Sequence, residues 1–473
     1  MKPQTELFKQ KSVETLHDVK IQENLSGLYS GFHEERIKVS AETENWENMR
    51  EKGRKIKAHT LDNLDKYLEQ LEKNITDSGG NVFYANSASD ASDYVTNLAK
   101  ERGVKSVVKS KSMISEEMSL NHHLEIQGIE SVETDLGEYI VQLADEAPYH
   151  IIAPAIHKSS EEVSKLFNEK LGTDPDYGIQ DLTEVARKQL RQKFIHADMG
   201  ITGGNFMVAD TGTLVIVTNE GNGRMCTSMP RIHVAIVGME KVIPSVSDLG
   251  LFLRLLIRSA TGQWMSSYVT TVSGPKRSTD IDGPEEFHLV IVDNGRSNMI
   301  ADPKLREALY CLRCGACLNA CPVYRKVGGH SYGWVYPGPI GSIVSPMLTG
   351  LSDGKDLPFA STLCGSCKEA CPVNIDIPRM LLHLRNQVSE GNTSEKGLIG
   401  SRFERGLSSM ASAFLSSPKW ASNLISLARF ISDKLPDKFS VFPSAWTRTK
   451  ETPHLPKKNF VEMWNEQNNA NDV

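Results

Sequence analysis

Cys311, Cys314, Cys317 and Cys321, the last followed by Pro322, form a C-x2-C-x2-C-x3-C-P run. Three thiolates three residues apart on a tight loop can cap three irons of one cubane, while a fourth followed by proline is turned toward a different cluster. A second run, Ser361, Cys364, Cys367, Cys371 and Pro372, repeats those gaps position for position, with serine in the first place. Under the crossing rule Cys311, Cys314, Cys317 and Cys371 hold one complete 4Fe–4S cluster, and Cys321, Cys364 and Cys367 hold a second with three thiolates. That second centre is 3Fe–4S, or 4Fe–4S with its last iron on Ser361, solvent or a partner. Gly315 lets the first loop wrap closely, with backbone amides near the sulfides.

Other uses of the cysteines fit less well. Structural zinc takes four ligands from paired C-x2–4-C arms, and seven cysteines with two C-x3-C-P endings do not divide that way. A disulfide framework spreads through a small secreted domain, whereas this chain has 473 residues and its first cysteine is Cys226. The lone Cys226 reads as a small buried apolar residue. Two clusters in contact conduct single electrons, so an electron carrier is the leading function. The alternative is a catalytic iron–sulfur oxidoreductase or hydro-lyase that uses the three-cysteine cluster as a Lewis acid.

A second group of candidates is rich in glycine and polar residues. Gly204 and Asn205, then Thr211 and Gly212, then Glu220 bracket an apolar run at 214–217, and Lys276 and Arg277 follow another at 268–272. Polar residues after strand ends are where open α/β sheets bind ligands, and Lys276 with Arg277 suits a carboxylate or phosphate. Together these seven form a candidate small-molecule pocket. No G-x-G-x-x-G fingerprint is present, so NAD binding is unsupported. His122, His123, His196 and His233 are scattered singly and read as surface or satisfied core histidines.

The elements that must position these residues follow from periodicity. Leu61, Leu64, Leu68, Leu71 and Ile75 recur at helical steps before Gly79 and Gly80, which gives an amphipathic helix within an N-terminal helical extension, 1–75. Its basic residues Arg50, Lys52, Arg54, Lys55 and Lys57 read as a solvated face. From 76 to 300, strands at 82–85, 104–108, 150–153, 214–217, 233–237, 268–272 and 288–292 alternate with helices near 161–170, 181–194 and 246–259. That alternation predicts an α/β domain with a largely parallel sheet covered on both faces. A helical module with the two cysteine groups occupies 301–390. A C-terminal segment, 391–473, has helices near 403–414 and 420–430 and a polar tail from Asn465 that reads as disordered.

Composition limits the functions available. Lys and Arg total 53 against 59 Asp and Glu, a net charge of −6, which gives no basic face for nucleic acid. The apolar stretch at 249–260 is broken by Arg254 and Arg258 and is too short for a transmembrane segment. The start MKPQTELFKQ lacks the apolar core of a signal peptide, which makes a cytoplasmic location the expectation.

With these residues in hand, the chain resembles the lactate utilisation protein B family of bacteria. The resemblance rests on Gly204-Asn205-Phe206, Asp210-Thr211-Gly212-Thr213-Leu214, Ser273-Gly274-Pro275, the first cysteine run, the Gly338-Pro339-Ile340-Gly341 turn and the segment from Cys364 to Pro378. It implies a lactate-utilisation (LUD) domain of sugar-phosphate isomerase/CoA-transferase-like fold, followed by an α-helical two-cluster ferredoxin module. It further implies an electron-transfer subunit in L-lactate oxidation to pyruvate, rather than a stand-alone enzyme. Its partners would be lactate utilisation proteins A and C. The resemblance assigns no catalytic residue.

Overall fold

The computed structural model describes residues 3–390, 402–417, 420–424, 427, 458 and 460–471. Residues Met1–Val388 form one compact unit and Ser389–Val473 a second. In the second unit Arg402–Leu415 and Phe460–Asn471 are helical, so the polar tail is helix over most of its length rather than disordered. The helix expected at 420–430 lies only in part within the described residues, where 420–424 is helical.

The first unit is built on two sheets. Strands β1 (Asn81–Ala85), β2 (Ser106–Lys109), β3 (Glu130–Glu133), β4 (Met199–Thr202), β7 (Ile232–Gly238) and β10 (Glu286–Val292) form a six-stranded parallel sheet in the order β1-β10-β7-β4-β2-β3. Every residue of β7 is buried, as is nearly all of β10, because helices cover both faces. Val95 and Leu98 of Ala88–Glu101 pack with Val107, Ile201, Ile236 and Val290 on one side. Phe167, Leu182, Leu190 and Phe194, from helices Ser160–Leu171 and Ile179–His196, pack with Val108 and Val132 on the other.

The second sheet was not expected. It holds β5 (Phe206–Val208), β6 (Thr213–Thr218), β8 (Val242–Ile243) and β9 (Tyr268–Val272) in the order β8-β5-β6-β9, so two of the expected strands pair antiparallel here rather than joining the parallel sheet. Residues 150–153, expected as a strand, are irregular. The His150 ring accepts from the backbone N–H groups of Ile152 (3.1 Å) and Ala153 (3.3 Å), which satisfies donors a ladder would otherwise take.

The N-terminal region is a run of helices, and the leucine pattern from Leu61 to Ile75 is split at Asn63 between Trp46–Asp62 and Leu64–Asp77. Its basic residues are not all solvated: Arg50 and Lys57 are buried. Lys57 Nζ donates to the Glu240 and Val242 carbonyls, and burial pushes the ammonium down to about 7. Among the described residues no helix is long and apolar enough to cross a membrane.

His233 of β7 is wholly buried, with Nε2 2.8 Å from Thr202 Oγ1. Burial, reinforced by His288, pushes the imidazole down to about 3 from 6.5. The folded chain keeps it neutral while the unfolded chain takes up a proton, so its contribution is full above pH 6.5 and is lost as pH falls toward 3. His233→Gln, which keeps a partner for Thr202, is expected to remove about 2 kcal/mol of the stability difference between pH 7 and pH 5 in anaerobic urea unfolding. An unchanged pH dependence would contradict this.

Candidate metal centres

The two cysteine runs fold as copies of one turn. Arg313 and Leu363 both adopt positive φ (60° and 57°), as do Gly315 and Gly365 (75° and 88°). Each turn leads into a five-residue helix, Ala316–Ala320 and Ser366–Ala370, and the following Cys321 and Cys371 share extended backbone. Cys311 Sγ accepts from the Arg313 N–H at 3.3 Å, and Ser361 Oγ accepts from the Leu363 N–H at 3.1 Å. Ser361 therefore takes the place and local bonding of Cys311.

The two short helices pack on each other, which brings thiols from both runs together. Cys311, Cys314, Cys317 and Cys371 line one small cavity of about 20 Å³ with Ile151, Pro372 and Ile375. Burial pushes Cys314 up to about 12, with Cys311 and Cys371 adding to it. Cys317 is raised by burial and then by Cys311 and Cys314, and Cys371 is pushed up to about 11 by burial with Cys311 adding. Among the remaining thiols, burial and then Cys321 push Cys367 up to about 12, and burial with Cys364 adding raises Cys321; Cys367 also raises Cys317 of the first set. All seven are free thiols, and Cys364 is exposed.

Thiols crowded and buried in this way resist ionising alone, and a polycationic iron–sulfur core relieves that resistance by binding them as thiolates. The donor set therefore fits iron–sulfur clusters. Backbone amides reinforce it, since Cys321 Sγ accepts from the Tyr324 N–H at 3.4 Å. Cations gather on the same ligands. Arg50 donates to the carbonyls of Cys371 (2.9 Å) and Lys368 (3.0 Å), Arg36 to that of Glu369 (3.3 Å), and Lys241 to that of Cys311 (3.2 Å). The supposed solvated face of the N-terminal helix thus seats one of its arginines on a ligand segment.

A larger cavity of about 430 Å³ lies between the α/β domain and the first cysteine run. Of the candidate pocket residues, Gly204, Asn205 and Glu220 line it. A Cβ on Gly204 would stand 2.5 Å from a Leu214 methyl and 2.9 Å from a Val237 methyl, so a larger residue there must displace both. Thr211 and Gly212 are not in the cavity. They make the β5–β6 hairpin turn, where Gly212 (φ +62°) packs against Asn74 so closely that a Cβ would meet its backbone at 2.7 Å. Lys276 and Arg277 are also elsewhere: Lys276 pairs with Glu285 at 3.5 Å, and the Arg277 N–H donates to Asp280 at 2.7 Å. Glu220 stands at the rim, accepting from the Leu136 N–H at 3.3 Å, and its carboxyl is raised by desolvation and then by Asp135.

Sequence reading missed Lys111, Asp135, Lys241 and Arg313, all of which line this cavity. Only Arg313 carried a signal, as a charged residue inside a cluster-binding loop. Leu312, Arg313 and Cys314 wall both cavities, so the four-thiol group sits against the larger one. A buried polar joint fixes that arrangement. Arg296 donates to Glu117 (3.0 and 2.8 Å) and Glu240 (2.8 Å), and Tyr336 Oη donates to Glu117 at 2.5 Å. The Tyr336 ring in turn lies under the Arg313 guanidinium at 4.2 Å. Arg296 holds the Glu240 carboxyl at about 2, against the pull of burial.

A parallel α/β domain carrying a helical module with two cysteine groups defines the class, a LUD-domain iron–sulfur protein. The LUD domain model matches residues 68–292, and the 4Fe-4S dicluster domain model matches residues 307–375. The chain belongs to the lactate utilization protein B family. It is 47% identical over 441 residues to lactate utilization protein B of Bacillus cytotoxicus, covering 92% of each chain. It is 42% identical over 475 residues to that of Bacillus velezensis, covering 99% of this chain and 98% of the relative. A solved DUF162 family protein from Deinococcus radiodurans aligns at 13% identity and a TM-score of 0.29, over 49% of this chain and 98% of that one.

The grouping of thiols sets an unequal outcome for one substitution. Cys371→Ser is expected to damage the centre of the first run and spare the one at Cys321, Cys364 and Cys367, read by iron content and paramagnetic resonance of anaerobic protein. Selective loss of the second centre would contradict the grouping.

Proposed function

We propose that this chain is the iron–sulfur electron-transfer subunit of an L-lactate-oxidising system, working with lactate utilisation proteins A and C. Cys311, Cys314, Cys317 and Cys371 would hold a 4Fe–4S cluster. Cys321, Cys364 and Cys367 would hold a second, of three irons or of four with Ser361 as a further ligand. When bound, such a pair supplies one-electron relay chemistry. The observation that carries the reading is the placement of the two thiol groups. Cys314 belongs to the wall of a ligand-sized cavity, while Cys364 of the other group is exposed. A relay needs those two ends. The relatives' name supports the pathway, and its letter supports a system of several proteins.

The chain's own residues serve this role by positioning and by charge. Arg36, Arg50 and Lys241 direct positive charge to carbonyls of the ligand segments, which favours an added electron. The Arg296–Glu117–Tyr336 joint holds the first run against the α/β domain.

The competing reading, an oxidoreductase or hydro-lyase with an open iron at Ser361, rests on the serine standing in the place of Cys311. Ser361→Cys separates the two. A relay is expected to keep lactate-dependent dye reduction by the assembled system within about threefold, while the second centre takes the spectrum of a fully thiolate-ligated cluster. Loss of more than about tenfold with the cluster intact would favour the open-iron enzyme.

A further inference from the structure

We propose that Glu116, Glu133 and Glu138 hold a hard divalent cation at the carboxyl ends of β2 and β3 in the α/β domain. Lys109 and Glu133 are the last residues of those strands and direct partners across the parallel ladder. Glu116 comes from the short helix Met113–Glu117, and Glu138 from the first turn of Leu136–Leu143. One carboxylate oxygen from each of the three lies within 4.8 Å of those of the other two. A single ion with oxygen bonds of about 2.1–2.4 Å spans such a set.

The protein's own bonds satisfy only part of this group. Lys109 Nζ is wholly buried, 2.6 Å from Glu133 and 2.9 Å from Glu116, and donates to Ser115 Oγ at 2.7 Å. Asn121 donates to Glu133 Oε1 at 2.9 Å. Glu138 stands outside those bonds. It is 2% exposed, makes no ion pair among the described residues, and its Oε1 has no hydrogen-bond partner. Glu133 Oε2, also buried, has none either. Burial and then Glu133 and Glu116 raise the Glu138 carboxyl well above the usual range. Buried carboxylate oxygens without donors call for a cation.

Charge balance selects the class of cation. Three carboxylates against one ammonium leave two negative charges, and the nearby cations are taken. Lys111 lies 3.4 Å from Asp135, and Arg296 is paired with Glu117 and Glu240, each at 2.8 Å. One shared proton cancels half of that excess, whereas a divalent ion cancels all of it. Donors that are all oxygen select Mg2+, Ca2+ or Mn2+ over thiolate-seeking metals. The Glu116 side chain, 18% exposed, gives the ion a way in. Bound there, the ion ties down the strand ends that carry Ser110, Lys111, Ser112 and Asp135, all in the wall of the larger cavity. The inference does not depend on the clusters proposed above.

The test is titration of Mn2+ into the anaerobic full-length holoprotein after passage over chelating resin, with free Mn2+ read by room-temperature paramagnetic resonance. Iron and sulfide are measured on the same sample. About one Mn2+ per chain is expected to bind and to be displaced by Mg2+ or Ca2+, the stronger competitor naming the native ion. Glu138→Gln and Glu116→Gln are each expected to weaken binding about tenfold or more at unchanged iron and sulfide. Glu184→Gln, exposed on the helix Ile179–His196, is expected to leave it unchanged. If Glu138→Gln fails to fold, Glu116→Gln, at the partly exposed position, decides. Wild-type protein that takes up no Mn2+ would overturn the proposal. So would uptake that survives both substitutions, or uptake that follows missing iron and ignores Glu138. Mn2+ held through Glu138 by protein without iron or sulfide would sink the cluster reading and leave this site standing.

Discussion

The constraint on which this structure turns is the crowding of seven thiols, five of them buried, into two groups. Each buried thiol resists ionisation because charge is poorly solvated there, and each neighbour that ionises raises the next. An ordinary core would not retain such a set. The chain maintains it with two copies of one turn, each bent by positive φ before a short helix, and with cations delivered from outside the module. Iron removes the conflict, so cluster binding and folding of this module are coupled.

The α/β domain and the N-terminal helices gain their function from that demand. Arg36 and Arg50 reach the second run from the N-terminal helices, Lys241 reaches the first from the α/β domain, and the Arg296 joint fixes Tyr336 beneath Arg313. The result is a thiol group with one wall on a cavity and a neighbouring group with a thiol in solvent. Local geometry also explains the serine in the second run. The turn needs an i to i+2 acceptor, and a hydroxyl provides it as a thiol does.

Much of this was legible in the sequence, and the misses have physical reasons. The strands β7 and β10 stand out because a parallel strand buried on both faces is apolar over most of its length. The short β5 and β8, three and two residues long, leave no period to detect. Residues 150–153 have strand composition, but the His150 ring takes the backbone donors. Thr211 and Gly212 carried the right residue types for a pocket and serve a hairpin; Lys276 and Arg277 lie on a loop away from the cavity. The cysteine spacing was readable because cluster geometry is encoded locally. The cationic shell was not, since the partners of Arg50 and Lys241 are backbone carbonyls hundreds of residues or several elements away, and nothing in the residue itself distinguishes a buried guanidinium from a solvated one.

The claim that matters most is that these thiols hold two iron–sulfur cores. Quantifying iron, acid-labile sulfide and zinc in the full-length chain purified without oxygen tests it directly. The account gives about seven or eight irons per chain with matching sulfide and negligible zinc. A colourless protein with zinc, no labile sulfide and full activity in its pathway would contradict it.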